Sequence, residues 1–220
     1  MRYLAHRPAA VLDAGRRPAS CNPHLKFAVL DELPGVAYLF LPLLGGALLV
    51  GLCTRYNWAG VLAWPVDRGV MLSGRRLFGD NKTFRGVLAG TLGTALGMVL
   101  QGKLLHAFAP TRSLEYVDYS RLRLWRVGLL LGLTRMLSEL PNSCAKRQLH
   151  IPPGQLAQGR WAAVFYMLDH LDYLPGTWIV LSGLVRVTVN RVLVSIGVVF
   201  VAHHLASAAG YWLGMRKSIH

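Results

Sequence analysis

Gly74-Arg75-Arg76-Leu77-Phe78-Gly79-Asp80-Asn81-Lys82-Thr83-Phe84-Arg85-Gly86 is a polar run punctuated by glycines and set between two apolar segments, residues 36–53 and 86–108. The first segment is uncharged over about 18 residues, near the lower bound for a helix crossing a ~30 Å hydrocarbon layer. Arg75, Arg76, Lys82, Arg85, Asp80 and Asn81 therefore gather where apolar segments meet water. The glycines let backbone approach a ligand closely, so the run suits a phosphate-rich ligand better than a merely solvated loop.

Composition supports a membrane setting. Hydrophobic residues make up 53% of the 220 residues and charged residues 15%, against about a quarter charged in soluble domains. The mean hydropathy is +0.38. A net charge of +14, from 24 Lys and Arg against 10 Asp and Glu, attracts anionic headgroups and polyanionic small molecules. Nucleic acid is the least suited partner for so apolar a chain. Cys21, Cys53 and Cys144 are odd in number and widely spaced, which reads as packing rather than as a disulfide framework or metal set.

Outward from the polar run, residues 1–33 are basic and broken by Pro8, Pro18 and Pro23, a loosely ordered extension without the apolar core of a signal peptide. Residues 86–108 carry Gly86-xxx-Gly90 and Gly93-xxx-Gly97, spacings that put small residues on one helix face. Lys103 and His106 mark the far interface, and a charged connection follows. Residues 127–140 form a third apolar stretch with Arg135 and Glu139 at i, i+4 spacing, an internal ion pair or a substrate contact, and Pro141 is expected to end that helix. Residues 161–185 are apolar except for Asp169, His170 and Asp172. The two aspartates share one face of a helix and call for a cation, a cavity or a metal. Residues 192–214 form the last span, and its His203-His204 pair reads as packing because no third ligand has suitable spacing. The fold class is thus an all-α integral membrane protein of about five transmembrane helices, with its polar motif loops on one side.

That side collects Arg75, Arg76, Asp80, Asn81, Lys82, Arg85, Asn142, Lys146, Arg147, Asp169 and Asp172. Such an inventory suits phosphoryl or nucleotidyl transfer, with cations offsetting phosphate charge and hard carboxylate oxygens holding Mg²⁺. The run is only superficially a P-loop, since Asp80-Asn81 separates Gly79 from Lys82-Thr83. Basic loops beside a membrane also serve simply as lipid-headgroup contacts.

Pro65-Val66-Asp67-Arg68-Gly69 followed by the Gly74 to Gly86 run resembles the CDP-archaeol synthase family, integral membrane cytidylyltransferases related to CDP-diacylglycerol synthases. Glu139-Leu140-Pro141-Asn142-Ser143-Cys144-Ala145-Lys146-Arg147-Gln148-Leu149, Ile151-x-Pro153-Gly154 and Leu168-Asp169-His170-Leu171-Asp172 resemble its later motifs, in the same order, over residues 36–217. The resemblance implies transfer of CMP from CTP to a lipid phosphate of archaetidic or phosphatidic acid type, with Mg²⁺ as cofactor and pyrophosphate released. It implies that Asp169 and Asp172 carry the metal, that Asp80 and Lys82 join them in catalysis, and that Arg75, Arg76, Asn81, Arg85, Asn142, Lys146 and Arg147 bind phosphates. The domain would span residues 34–220. Phe84, Cys144 and His150 stand where the family more often has Trp, a larger apolar residue and Gly, and the Asp67-Arg68-Gly69 run lacks a second glycine. The Glu-Leu-Pro-Asn form of the second motif looks closer to bacterial relatives. Lys and Arg are balanced across the membrane, so the positive-inside rule sets no orientation. The motif loops are placed in the cytoplasm, at the cell (inner) membrane, because the nucleotide would be there.

Three other readings compete. A CDP-alcohol phosphotransferase needs an Asp-Gly-x-x-Ala-Arg signature that is absent. A transporter subunit would spread polar residues along helix interiors and often repeat itself. A non-catalytic anionic-lipid-binding membrane protein would have no use for Asp169 and Asp172.

Overall fold

The computed structural model describes residues 30–105, 114, 116, 117, 119, 123–212 and 214. The basic extension, apart from its last four residues, lies outside them, as do His106 and most of the charged connection after it.

Helix α1, Leu33–Phe40, runs almost directly into α2, Pro42–Arg55, with Leu41 still in helical conformation and Pro42 at the first position of the second helix. Proline is tolerated there because its missing N–H would be unpaired anyway. The polar loop that follows contains a hairpin of β1, Met71–Leu72, and β2, Arg75–Arg76, paired antiparallel. Ser73 and Gly74 turn it with φ of 52° and 78°, both in the left-handed region that such two-residue turns require. Helix α3, Phe84–Leu100, is capped by the Thr83 hydroxyl, which accepts from Gly86 N at 3.1 Å, and continues as a π turn, Gln101–Leu105. Helix α4 is Leu124–Gln148, α5 is Ala162–Leu171, α6 is Leu174–Leu181 and α7 is Val189–Trp212.

Two expectations are corrected. Pro141 does not end its helix: α4 runs through it to Gln148, carrying Asn142, Lys146 and Arg147 as helical residues rather than loop residues. A proline costs the helix one hydrogen bond, and packing on both faces of α4 offsets that loss. The fourth apolar stretch is two helices, α5 and α6, which break at Asp172-Tyr173. Among the described residues two helical stretches are long and apolar enough to cross a membrane, Leu33–Arg55 and Val189–Trp212.

Backbones meet at glycines. A Cβ on Gly93 would lie 2.4 Å from the Gly45 carbonyl oxygen, and one on Gly97 would lie 2.7 Å from that of Pro42, so α2 and α3 touch main chain to main chain. Gly128 and Gly132 of α4 abut Ala95 and Thr91 of α3, and Gly176 of α6 abuts Thr134 and Ser138 of α4. Gly86, by contrast, meets only its own cap. The apolar core, with Leu39, Met98, Leu131, Trp178, Leu181 and Val199, lies among these helices. Outward, Leu88, Leu92, Leu96 and Leu100 form an exposed row along α3, while Thr94 and Ser195 are fully buried. Leucine outside with small and polar residues inside is the pattern of helices packed in hydrocarbon.

Gly93→Val is therefore expected to lower the thermal unfolding midpoint in detergent, with an overpacking cost of about 1–3 kcal/mol or more because the clash is with backbone. Gly183→Ala, whose Cβ would meet only ordinary contact at 3.5 Å, should leave the midpoint within about 0.5 kcal/mol. Equal midpoints for Gly93→Val and wild type in thermal scans would refute the close packing.

Candidate active site

The polar loop folds around Asp67. Its carboxylate accepts from the backbone N–H groups of Gly69, Phe78 and Gly79 at 3.1, 2.9 and 3.0 Å, and from Arg76 Nη2 at 2.5 Å. Burial opposes the charge on Asp67, but the Arg76 bond and the three backbone donors outweigh it and hold the carboxyl well below the usual range. The same bond raises the pKa of Arg76. Neighbouring strand residues point to opposite faces, so Arg76 turns to Asp67 while Arg75 donates to the Gln148 carbonyl at the end of α4. The loop closes on itself through Val66 N to Lys82 O and Phe84 N to Trp64 O.

This closure sets the loop on the α4 end. A Cβ on Gly79, whose φ is +84°, would meet Pro153 at 3.0 Å and the Arg147 side chain at 3.3 Å, and one on Gly154 would lie 3.3 Å from Asn81 Nδ2. Lys82 reaches down to Glu139 of α4 at 2.6 Å, and Arg135 approaches the other oxygen of Glu139 at 3.7 Å. One turn on, Asn142 donates from Nδ2 to Asp169 and to Asp172, both at 2.8 Å, and Lys146 pairs with Asp169 at 2.5 Å. The break between α5 and α6 allows this: Asp169 lies on the last turn of α5, and Asp172 follows where the chain bends.

The structure thus joins Lys82, Asn142, Lys146, Asp169 and Asp172, with Arg147 and Asn81 at the loop contact above. Asp80 stays apart, exposed and paired with Arg76 at 2.9 Å. Arg85 turns away to Asn57 Oδ1 at 2.7 Å. Two residues carry more than sequence reasoning assigned them. Asp67 organises the loop, a role visible only once its donors are folded around it. Glu139 is held by Lys82 more closely than by Arg135, its helical neighbour. Sequence reasoning singled out Glu139 as the partner of Arg135 or a substrate contact, and no spacing along the chain pointed to Lys82. His150 has φ +62°, which explains why glycine suits that position. The His203-His204 pair packs with His170, Tyr166 and Phe200, and His170 lies 4.3 Å from His203 ring to ring.

Among the described residues no three His, Cys, Asp or Glu side chains gather as a metal site, but two carboxylates and an amide do converge here. Asp169 and Asp172 converge on one amide whose own oxygen, Asn142 Oδ1, is buried without a hydrogen-bond donor. Turning that amide over would bring a third hard oxygen beside the two carboxylates, the donor chemistry that Mg²⁺ takes. Arg147 complements it, because Nε and Nη1 are buried with no acceptor and a guanidinium so placed calls for an anion.

Helices packed as in hydrocarbon around a part-buried cluster of carboxylates, ammonium groups and a guanidinium with unpaired donors define the class, a helical membrane protein with a charged site. The family model for CarS-like CDP-archaeol synthase matches residues 52–220, and the chain belongs to that family. A CDP-archaeol synthase of Pyrococcus furiosus is 38% identical over 97 residues, 43% of this chain and 52% of that protein. Those of Thermofilum pendens and Pyrobaculum arsenaticum are each 32% identical, over 69% and 76% of this chain and 64% and 85% of theirs. The chain therefore spans about half the length of the first of these relatives and under two thirds of the second. A solved structure described as an intramembrane enzyme for archaeal membrane lipids biosynthesis superposes with a TM-score of 0.54 at 26% identity, covering 78% of this chain and 91% of that one. These relatives are archaeal, and none of them supports the expected closeness to bacterial members.

Asp67→Asn removes a charged acceptor shared by Arg76 and three amides, and is expected to destabilise the loop by about 1–3 kcal/mol and to speed hydrogen exchange at Phe78 and Gly79. Because the folded pKa of Asp67 is depressed, its stabilisation is complete above the usual carboxylate range and lost as pH falls below about 4. The variant's unfolding midpoint should accordingly fall less steeply with acid than that of wild type. Parallel acid profiles would exclude the role.

Proposed function

We propose that residues 34–220 form a CTP-dependent cytidylyltransferase that converts a membrane lipid phosphate, of archaetidic or phosphatidic acid type, to a CDP-lipid with release of pyrophosphate. The observation that carries this reading is the convergence of Asp169 and Asp172 on Asn142 beside Lys146, with the unspent donors of Arg147 close by. Family membership and the intramembrane neighbour support it. On this reading the five apolar stretches cross the cell membrane and the motif loops face the cytoplasm.

In the reaction, an oxygen of the lipid phosphate forms a bond to the α-phosphorus of CTP, and the bond from that phosphorus to the bridging oxygen of pyrophosphate breaks. The protein's part is positioning and charge. Asp169 and Asp172, with Asn142, would hold Mg²⁺, which when bound offsets charge on the phosphates. Arg147 offers two donors to a phosphate oxygen without first giving up a partner. Lys146 and Lys82 now neutralise Asp169 and Glu139, and stand ready to share their charge with an arriving triphosphate. Arg75 and Arg76 secure the loop through the Gln148 carbonyl and Asp67, and thereby place Gly79 and Asn81 against the α4 end. Tails would lie among the helices, away from bulk water.

The test is pyrophosphate release by the purified chain in detergent, given CTP, Mg²⁺ and either phosphatidic acid or an unsaturated archaeal ether-lipid phosphate. Release is expected with one of the two lipids and with neither lipid alcohol. Asp169→Asn or Asp172→Asn should lower turnover by at least about 10²-fold while membrane insertion is retained. Absence of CDP-lipid with every lipid phosphate, from folded protein, would overturn the assignment and favour a non-catalytic anionic-lipid-binding role.

A further inference from the structure

A cavity of about 730 Å³ opens between α1, α2 and α7, walled by apolar side chains such as Leu33, Phe40, Leu44, Val198 and Leu205. Arg135, Tyr173 and His203 are the polar side chains in that wall. Arg135 belongs to α4, one turn before Glu139, so the groove reaches the edge of the carboxylate cluster.

The state of Arg135 is unusual for a cation in such a place. Its side chain is 14% exposed, and among the described residues its one carboxylate neighbour is Glu139 at 3.7 Å, beyond hydrogen-bond distance. Glu139 is already bound by Lys82 at 2.6 Å, so it does not depend on Arg135 for neutralisation. The guanidinium carbon lies 5.0 Å from the centre of the Tyr173 ring, within cation–π range, and its Nε is buried with no acceptor. A planar fork of donors, beside a ring and left without a full partner, matches the oxygens of a phosphate monoester. The apolar wall beside it matches hydrocarbon chains.

We propose that this groove takes the chains of a lipid phosphate and that Arg135 receives its phosphate, which places the lipid's reacting oxygen next to the Glu139 and Asn142 turns of α4. Calling that lipid the substrate rests on the cytidylyltransferase reading; the binding itself does not. Charge complementarity at Arg135 and continuity with the carboxylate cluster commit the groove to a lipid carrying phosphate rather than to a neutral lipid. The apolar wall excludes inorganic phosphate as the natural occupant.

The experiment measures binding to the purified full chain in detergent without CTP, using phosphatidic acid, the ether-lipid phosphate, diacylglycerol of matched chains and inorganic phosphate. Wild type should hold at least one lipid phosphate about tenfold or more tightly than diacylglycerol, the scale of a charge-assisted hydrogen bond. Arg135→Gln should remove that preference while diacylglycerol binding stays the same, and Arg135→Lys should keep part of it. In the turnover assay Arg135→Gln should raise KM for the lipid and leave KM for CTP unchanged. An unchanged preference in Arg135→Gln, no preference in wild type, or displacement of the lipid by an equal concentration of inorganic phosphate would each overturn the proposal. If Arg135→Gln does not fold, the wild-type preference and the Arg135→Lys shift decide it. A preference that tracks Arg135 in a protein making no CDP-lipid would sustain this inference and sink the enzymatic one. Turnover with an unchanged lipid KM in Arg135→Gln would do the reverse.

Discussion

Three carboxylates, Glu139 on α4, Asp169 on α5 and Asp172 at the α5–α6 break, are partly or wholly withdrawn from water, where an uncompensated charge costs several kcal/mol. Each is met by a group from another part of the chain. Glu139 takes Lys82 from the polar loop, and Asp169 takes Lys146 and Asn142 from α4, which also reaches Asp172. Such pairs add little net stability over an apolar substitute, but breaking one leaves a buried charge exposed to its full desolvation cost. Their effect is to fix register. The loop, α4 and the α5–α6 break have one relative placement that satisfies all three carboxylates, and that placement is the site.

The scaffold makes the placement possible by bringing backbones close. Contacts of Gly45, Gly93 and Gly97 let α2 lie on α3, and those of Gly128 and Gly132 let α4 lie on the other face of α3. Small residues inside free the leucines to point outward, which suits a lipid environment and would be costly in water. Near contact of α3 and α4 also keeps Lys82, just before α3, within reach of Glu139 on α4. Fold and site therefore share one cause, the narrow spacing of two helices.

The loop depends on a second buried charge. Asp67 replaces water for three amides and Arg76, converting a glycine-rich run into a closed hairpin whose Gly79 lies against Arg147 and Pro153. Donors are used up at Arg76 and Arg75, which hold the loop, and are left without an acceptor at Arg147 Nε and Nη1 and at Arg135 Nε.

Much of this was legible in the sequence. Apolar length and low charge gave a helical membrane protein, and the cost of Asp169 and Asp172 in an apolar stretch marked them as a pair that needs compensation. These follow from local composition and from the helical period, which a chain carries without folding. Partner choice did not follow. Arg135 and Glu139 at i, i+4 spacing read as a pair, yet Lys82, fifty-seven residues earlier, holds Glu139; Arg85 sat in the richest cationic run and turned to Asn57 instead. Pro141 read as a helix end because local rules see only the lost hydrogen bond, whereas packing of α4 against α3 and α6 carries the helix through it. The sequence by itself determined which charges must be compensated. Only the tertiary structure decided by whom, because distances between residues far apart in the chain are set by helix packing and not by spacing along it.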